Sequence, residues 1–357
     1  MQVISARQLV LIGTIFTLSS TLISVQSQMI PHAKQHIWLS HLLGMVVIAI
    51  SMWLLARTLS RFPDHDLFQA LLARFPSLGK VAIALYVLFF FFILTRDIRM
   101  LIDFVNVALL PTTPMLALAI LTMFTVCVSA RGGIEVMGRV TELYGPLLIA
   151  MLFFLPLLLF REFDTANIMP FWRLDVPGVS RGAWYILPYL GEAIVMPMIF
   201  MGRTFRFRHG LIALGLGTFV LIALAMQAML ALGQPIMERM LYPNYELVRQ
   251  LRITDFLDRF DLPMVGVWLP TMLAKITINL YVVCYGLRRM IPGLWGAAMV
   301  NPVGFLAMVC SIWFFEDAIQ LYELNRVWPT LALCFELLLP ILFYLILRPK
   351  KQAIQKT

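Results

Sequence analysis

Hydrophobic and polar positions in this chain are sorted into long blocks. Apolar runs of about twenty residues recur from end to end, separated by short polar, arginine-bearing links, and each run matches the ~30 Å thickness of a bilayer's hydrocarbon layer. The runs predict ten membrane-spanning helices at about 8–29, 37–56, 80–108, 114–130, 136–160, 183–202, 209–232, 262–287, 295–315 and 328–347. The first run, 9–30, is too long for the apolar core of a cleavable signal peptide and is read as a retained span ending at Pro31. The block pattern thus predicts an all-α polytopic membrane protein, with residues 1–357 forming one transmembrane domain.

The interruptions within these blocks carry the information. Span six, WYILPYLGEAIVMPMIFM, is crossed by Pro188, Gly191 and Pro197 and holds Glu192 near its middle. Proline removes a backbone donor and glycine lets the chain leave helical geometry. The freed backbone groups must then be satisfied by protein, water or a ligand. A carboxylate at such a break is costly in hydrocarbon and points to a site. Span one has a hydroxyl-rich centre, Thr17, Ser19, Ser20 and Thr21, able to loosen a turn or to pack closely against a neighbouring helix. Span three ends in Arg96, Asp97, Arg99, Asp103 and Asn106. Residues 96, 99, 103 and 106 fall on one helical face, with Arg99 and Asp103 as an i,i+4 pair, lining a vestibule or reaching lipid headgroups.

Charges also sit deep in spans eight and ten. Lys275 precedes the Arg288–Arg289 anchor by thirteen residues, ~20 Å along a helix. Glu336 precedes Arg348 by twelve, at comparable depth. A buried ammonium must pair, lose its charge or face water, and Glu336 or Glu192 is the simplest partner. Span five opens with a ladder of Arg131, Glu135, Arg139 and Glu142. Before span three, RTLSRFPDHDLFQALLARFPSLGK reads as a short surface helix. The loop 233–261 has helical periodicity in YELVRQLRITDFLDRF and could cap the outer mouth or dock a partner.

Composition agrees with the blocks: 61% of the residues are hydrophobic and 13% charged, against about a quarter charged in soluble domains. The net charge of +9 reads as topology and not as a nucleic-acid footprint. With the N-terminus inside, the inner segments collect 16 Lys and Arg and the outer ones nine, so both termini are expected in the cytoplasm. Cys127, Cys284, Cys310 and Cys334 lie inside apolar runs at unrelated spacings and read as packing residues. The five histidines lie in loops or near span ends. With no phosphate-binding loop, dinucleotide fingerprint, metal cluster or catalytic triad legible, an enzyme is not expected, nor a cofactor or metal.

Several stretches together resemble the B subunits of spore germinant receptors, the spore-permease branch of the amino acid–polyamine–organocation transporters. They are ISARQ before span one, HIWLSHLLG leading into span two, ALLPTTP leaving span three, RGGIEVMGRVTELYGP at span five, PYLGEAIVM in span six and LDRFDLPMVGVW before span eight. The resemblance implies two inverted five-helix repeats, about 8–160 and 183–347, with spans one and six broken at their centres. It also implies a small nutrient, typically an amino acid, bound where the breaks meet spans three and eight. Carried onto this chain, the ligand-binding candidates are Thr17, Ser19, Ser20, Arg99, Asp103, Leu190, Gly191, Glu192, Lys275 and Tyr281. Gly191, whose missing side chain leaves room, is the expected point of closest approach. Where relatives tend to have glycines at the span-one break, this chain has Leu18, Ser19 and Ser20.

By that resemblance the chain would sense a nutrient in the spore inner membrane, together with the A and C subunits of a germinant receptor. The alternatives are a proton-coupled amino-acid transporter, with Glu192 or Lys275 titrating, and a non-binding scaffold subunit.

Overall fold

The computed structural model describes residues 4–200, 203–250, 261–291, 293 and 296–348, with backbone alone at 23, 24, 296 and 297. Among the described residues every regular element is helical. Seven helical stretches are long and apolar enough to cross a membrane, and the shorter apolar helices Ala6–Leu18, Met115–Arg131 and Ala298–Trp313 complete the predicted set. The chain is a multi-pass helical membrane protein.

Span one is built in three pieces. Ser5 caps its start: its hydroxyl accepts the Gln8 N–H at 3.1 Å, and the Gln8 side chain accepts the Ser5 N–H at 2.9 Å. Helix Ala6–Leu18 then gives way at Ser19 and Ser20 to a single turn, Thr21–Ser24, and to Gln26–Ala33. Around the break, Thr17 donates to the Thr14 carbonyl at 2.7 Å and Thr21 to that of Thr17 at 2.6 Å. These hydroxyls compete for the carbonyls of the last turn, as the sequence suggested. Pro31 does not end the span. It sits inside Gln26–Ala33, and the chain turns instead at Lys34, whose φ is 49°.

Span six starts earlier than its apolar pattern, at Val176, capped by Asp175, which accepts the Gly178 N–H at 2.9 Å. It runs as α-helix to Gly191, tightens into a 3₁₀ turn over Glu192–Val195, and resumes as Met196–Ile199 with Pro197 in its first turn. Span ten also begins early, at Ala318, because polar residues such as Asn325 are buried against other helices and not lipid. It loosens into a π-helical turn over Cys334–Leu338 before ending as Leu339–Ile346.

The contacts between spans pair up under the exchange of each span with the one five places later. Span one packs on five and seven, and span six on ten and two; three meets nine, and eight meets four; three–eight, four–nine and two–seven map onto themselves. Five crossings reverse the chain, so the second set runs opposite to the first. That is the pair of inverted five-helix repeats. Span six is innermost, with 89% of its most apolar window buried against 28% for spans five and ten.

One expectation at the polar links is corrected. The charge ladder of span five is cut at its first rung, because Gly133, at φ +79°, separates helix Met115–Arg131 from helix Ile134–Leu158. Glu142 instead ties span five to span one, pairing with Arg7 at 3.5 Å and accepting from Gln8 Nε2 at 3.1 Å. In the loop 233–261 the described part forms two short helices, Gln234–Met237 and Pro243–Arg249. The rest of its predicted periodicity, 251–260, lies outside the described residues.

The expected surface helix is present as Leu67–Arg74. Asp66, fully buried, caps it by accepting the Gln69 N–H at 2.9 Å, and its other oxygen accepts the hydroxyl of Tyr285 from span eight. Tyr285 in turn accepts from Arg289 at 2.6 Å. Asp66→Ala removes the cap and is expected to cost about 1–2 kcal/mol, read as a lower melting temperature of the detergent-purified protein. An unchanged melt would mean that the helix holds without its cap.

Candidate functional site

The breaks in spans one and six face spans three and eight, and four charged side chains meet there. Arg96 and Asp97 come from span three, Glu192 from the 3₁₀ turn of span six and Lys275 from span eight; each is no more than 1% exposed. Arg96 Nη2 donates to Asp97 Oδ1 at 2.6 Å and to Glu192 Oε1 at 2.5 Å. Lys275 Nζ stands 3.1 Å from Asp97 Oδ2 and 2.5 Å from Glu192 Oε2. Two cations and two anions thus close a ring without net charge. Lys275 also donates to the Ser20 hydroxyl, which donates on to Asp97 at 3.3 Å, and Asn279 Nδ2 reaches Asp97 Oδ2 at 3.3 Å.

Local backbone geometry accounts for this convergence. The 3₁₀ turn after Gly191 aims Glu192 inward, and the break after Leu18 lets Ser19 and Ser20 approach span eight. There Trp268 Nε1 donates to the freed Ser19 carbonyl at 3.0 Å, and the Ser19 hydroxyl lies 3.5 Å from that of Thr271. Aromatic faces complete the cationic surroundings. The Arg96 guanidinium lies 4.8 Å from the Tyr189 ring centre and 5.6 Å from that of Trp328, and Lys275 lies 5.6 Å from that of Phe16.

From the ring, polar contacts run toward the end of the bundle that carries helix Pro243–Arg249. Tyr189 donates to Asn325 Oδ1 at 2.7 Å, and Asn325 donates to Gln28 Oε1 at 2.8 Å. Helix Pro243–Arg249 closes over this end. Asn244 donates to Gln26 beside the span-one break, and Tyr245 to Asp261 Oδ2 at 3.1 Å. Beneath it an apolar crevice lined by Leu22, Phe104, Asn244, Tyr245 and Trp268 encloses about 10 Å³, at the limit for a single water.

The predicted residues separate into groups. Ser19, Ser20, Glu192 and Lys275 converge on the ring. Arg99 and Asp103 do pair, at 2.9 Å, but toward the mouth, where Arg99 also donates to the carbonyls of Phe315 and Glu316 at 2.6 Å. Four candidates point elsewhere. Thr17 faces span seven, where any side chain at Gly217 would overlap its hydroxyl. Leu190 packs toward Gly44 of span two. Tyr281 stacks on Tyr285, ring centres 6.2 Å apart, beyond the ring's reach. The space beside Gly191 is filled by the Glu336 carboxyl, so its missing side chain serves helix packing and not an open pocket. Lys275 takes Glu192 of its two expected partners, with Asp97 added.

Sequence reasoning missed Asp97 and Asn279 and placed Arg96 only on a stripe. Asp97 lies off the polar face of span three, one residue from Arg96, and no periodicity marks it. The charge total gave no signal either, since Glu192 and Glu336 already match Arg96 and Lys275 in number.

The chain has counterparts among known proteins. A sequence profile of the spore germination protein family, the spore permeases, matches residues 3–319. The chain belongs to that family. It is 33% identical over 346 residues to the putative spore germination protein YfkT of Bacillus subtilis (strain 168), covering 97% of this chain and 96% of that one. Spore germination protein KB of the same organism is 23% identical over 366 residues, covering 99% and 97%. Among solved structures the chain is similar to Mhp1, a nucleobase-cation-symport-1 family transporter crystallised closed with bromovinylhydantoin bound. The TM-score is 0.64 over 96% of this chain and 77% of Mhp1, at 14% identity, a likeness of fold.

Removing one member of the ring strands a buried charge. Lys275→Met is expected to destabilise the protein by about 3–5 kcal/mol, and Lys275→Met combined with Glu192→Gln, which restores neutrality, to recover part of that loss. Melting curves of both variants in detergent decide it: a single variant as stable as the wild type would sink the coupling.

Proposed function

We propose that this spore permease family member is a non-catalytic nutrient-sensing subunit of a germinant receptor. It binds a small zwitterion, most simply an amino acid, at the junction of the broken spans, in the inner membrane of the spore with both termini in the cytoplasm. It would act with the receptor's A and C subunits. The observation that carries this reading is a pair of unused groups flanking Asp97. Arg96 Nη1 is a buried donor and Asn279 Oδ1 a buried acceptor, and neither has a partner among the described residues. Buried polar atoms are rarely left unpaired, and such exceptions often mark a ligand.

The ring adds a constraint on charge. Because Arg96, Lys275, Asp97 and Glu192 balance, a ligand of net charge would leave one unit buried and uncompensated. An amino acid brings one carboxylate and one ammonium, matching the free guanidinium N–H and the free amide oxygen. Binding favours whichever packing of the broken spans accommodates it, by its differential affinity for the two.

A thermal-shift panel of amino acids, sugars and nucleosides on the purified protein tests the reading. An amino acid at 100 times its Kd is expected to stabilise by about 2.7 kcal/mol. Asn279→Ala, which leaves the four charges in place, should weaken binding at least tenfold, cutting that stabilisation by about 1.4 kcal/mol. A shift from a sugar or nucleoside alone, or one indifferent to Asn279→Ala, would refute it. Uptake of the same amino acid into vesicles under a pH gradient would replace the sensor with a transporter.

A further inference from the structure

Glu336 stands outside the ring and has no role in it. It lies in the π-helical turn of span ten, wholly buried, and neither carboxyl oxygen has a hydrogen-bond partner among the described residues. Its backbone is held firmly. Ser51 of span two donates to the Glu336 carbonyl, and the Tyr86 hydroxyl of span three donates to that of Phe335 at 3.0 Å. The turn therefore presents this side chain to the span-six break by construction. A methyl group placed on Gly191 would overlap Glu336 Oε2.

The charged and titratable groups acting on it are Glu192 of span six, Arg96 and Tyr86 of span three, and Lys275 of span eight; span two contributes the Ser51 hydroxyl. Arg96 and Lys275 are already matched one for one by Asp97 and Glu192. An ionised Glu336 would be a third anion facing two committed cations, with no donor to replace its lost hydration. The charged form of an isolated buried carboxyl is the expensive one. The neutral acid keeps the whole cluster balanced. Among the described residues no group of three or more His, Cys, Asp or Glu side chains is placed to hold a metal ion, which leaves a proton as the partner of this carboxyl.

We propose that Glu336 is a proton-binding site of the bundle, carrying its proton while the span-six break packs against span ten and giving it up to water when that contact opens. One O–H bond breaks, the proton passes to the entering water, and the carboxylate left behind is hydrated. The closed packing then holds one proton more than the open one. By linkage, raising the pH favours opening and lowering it favours closure. The proposal does not need the nutrient reading, because its first measurement uses no nutrient.

Infrared spectroscopy of the full chain in an ester-free detergent such as dodecyl maltoside, which carries no carbonyl group, reads the proton directly. At neutral pH exposed carboxyls are ionised, so a carboxylic-acid carbonyl band reports a buried neutral acid. The wild type is expected to show that band. Glu336→Gln, a neutral residue of the same shape, should lose it while keeping the wild-type melting temperature, and Glu336→Asp should shift its frequency. Absence of the band in the wild type, or its survival unchanged in Glu336→Gln, overturns the proposal. Should Glu336→Gln fail to fold, an unshifted band in Glu336→Asp overturns it equally.

Discussion

Four charges without access to water, held between helices that would otherwise be plain apolar spans, organise this molecule. Each ion taken from water costs several kcal/mol even after relaxation, and only close, well-directed pairing returns it. Arg96, Asp97, Glu192 and Lys275 achieve that pairing because three separate spans bring them within 2.5–3.1 Å of one another. No two of those spans could do so alone. The breaks in spans one and six follow from the same requirement. A regular helix at Gly191–Val195 would aim Glu192 differently, and an unbroken span one would hold Ser20 away from Lys275.

The loosened backbone carries its own obligation, since hydrogen-bonding groups freed in a membrane must find partners within the protein. Trp268 takes up the Ser19 carbonyl, and Ser51 and Tyr86 take up carbonyls of the π turn in span ten. The irregular segments therefore gather in one layer, where each supplies polar contacts for the next. The inverted repeat explains the gathering: spans one and six occupy equivalent places, and spans three and eight cross beside both. From this layer buried polar contacts continue through Tyr189, Asn325 and Gln28 toward the end of the bundle where helix Pro243–Arg249 packs.

Such an arrangement suits a protein that changes between packings more than one that is merely stable. A hydrophobic ring of equal volume would hold the helices at least as well, but it would give a zwitterion nothing to recognise. Arg96 Nη1, Asn279 Oδ1 and both carboxyl oxygens of Glu336 are buried without a hydrogen-bond partner among the described residues, and the two proposals above rest on these groups.

The amino-acid sequence alone determined the membrane class, the ten spans and the positions of the two broken helices. These depend on local chemistry: apolar length, proline, glycine and competing hydroxyls act within one helix and are read from one helix. It also located Glu192 and Lys275, because an isolated charge in an apolar run is conspicuous wherever the run lies in space. Only the tertiary structure decided the partners. Asp97 is indistinguishable in sequence from the other charges of its stretch, and what brings it to Lys275 is the crossing of spans three and eight. For the same reason Leu190, Thr17 and Tyr281 point away from the ring although they share spans with its members. Helical rotation sets their direction, and packing against spans two, seven and eight's own neighbours sets that rotation. Gly191 is the sharpest case. Its missing side chain predicts close approach, which is correct, but the group that approaches is Glu336 from span ten, whose position depends on how the second repeat closes on the first.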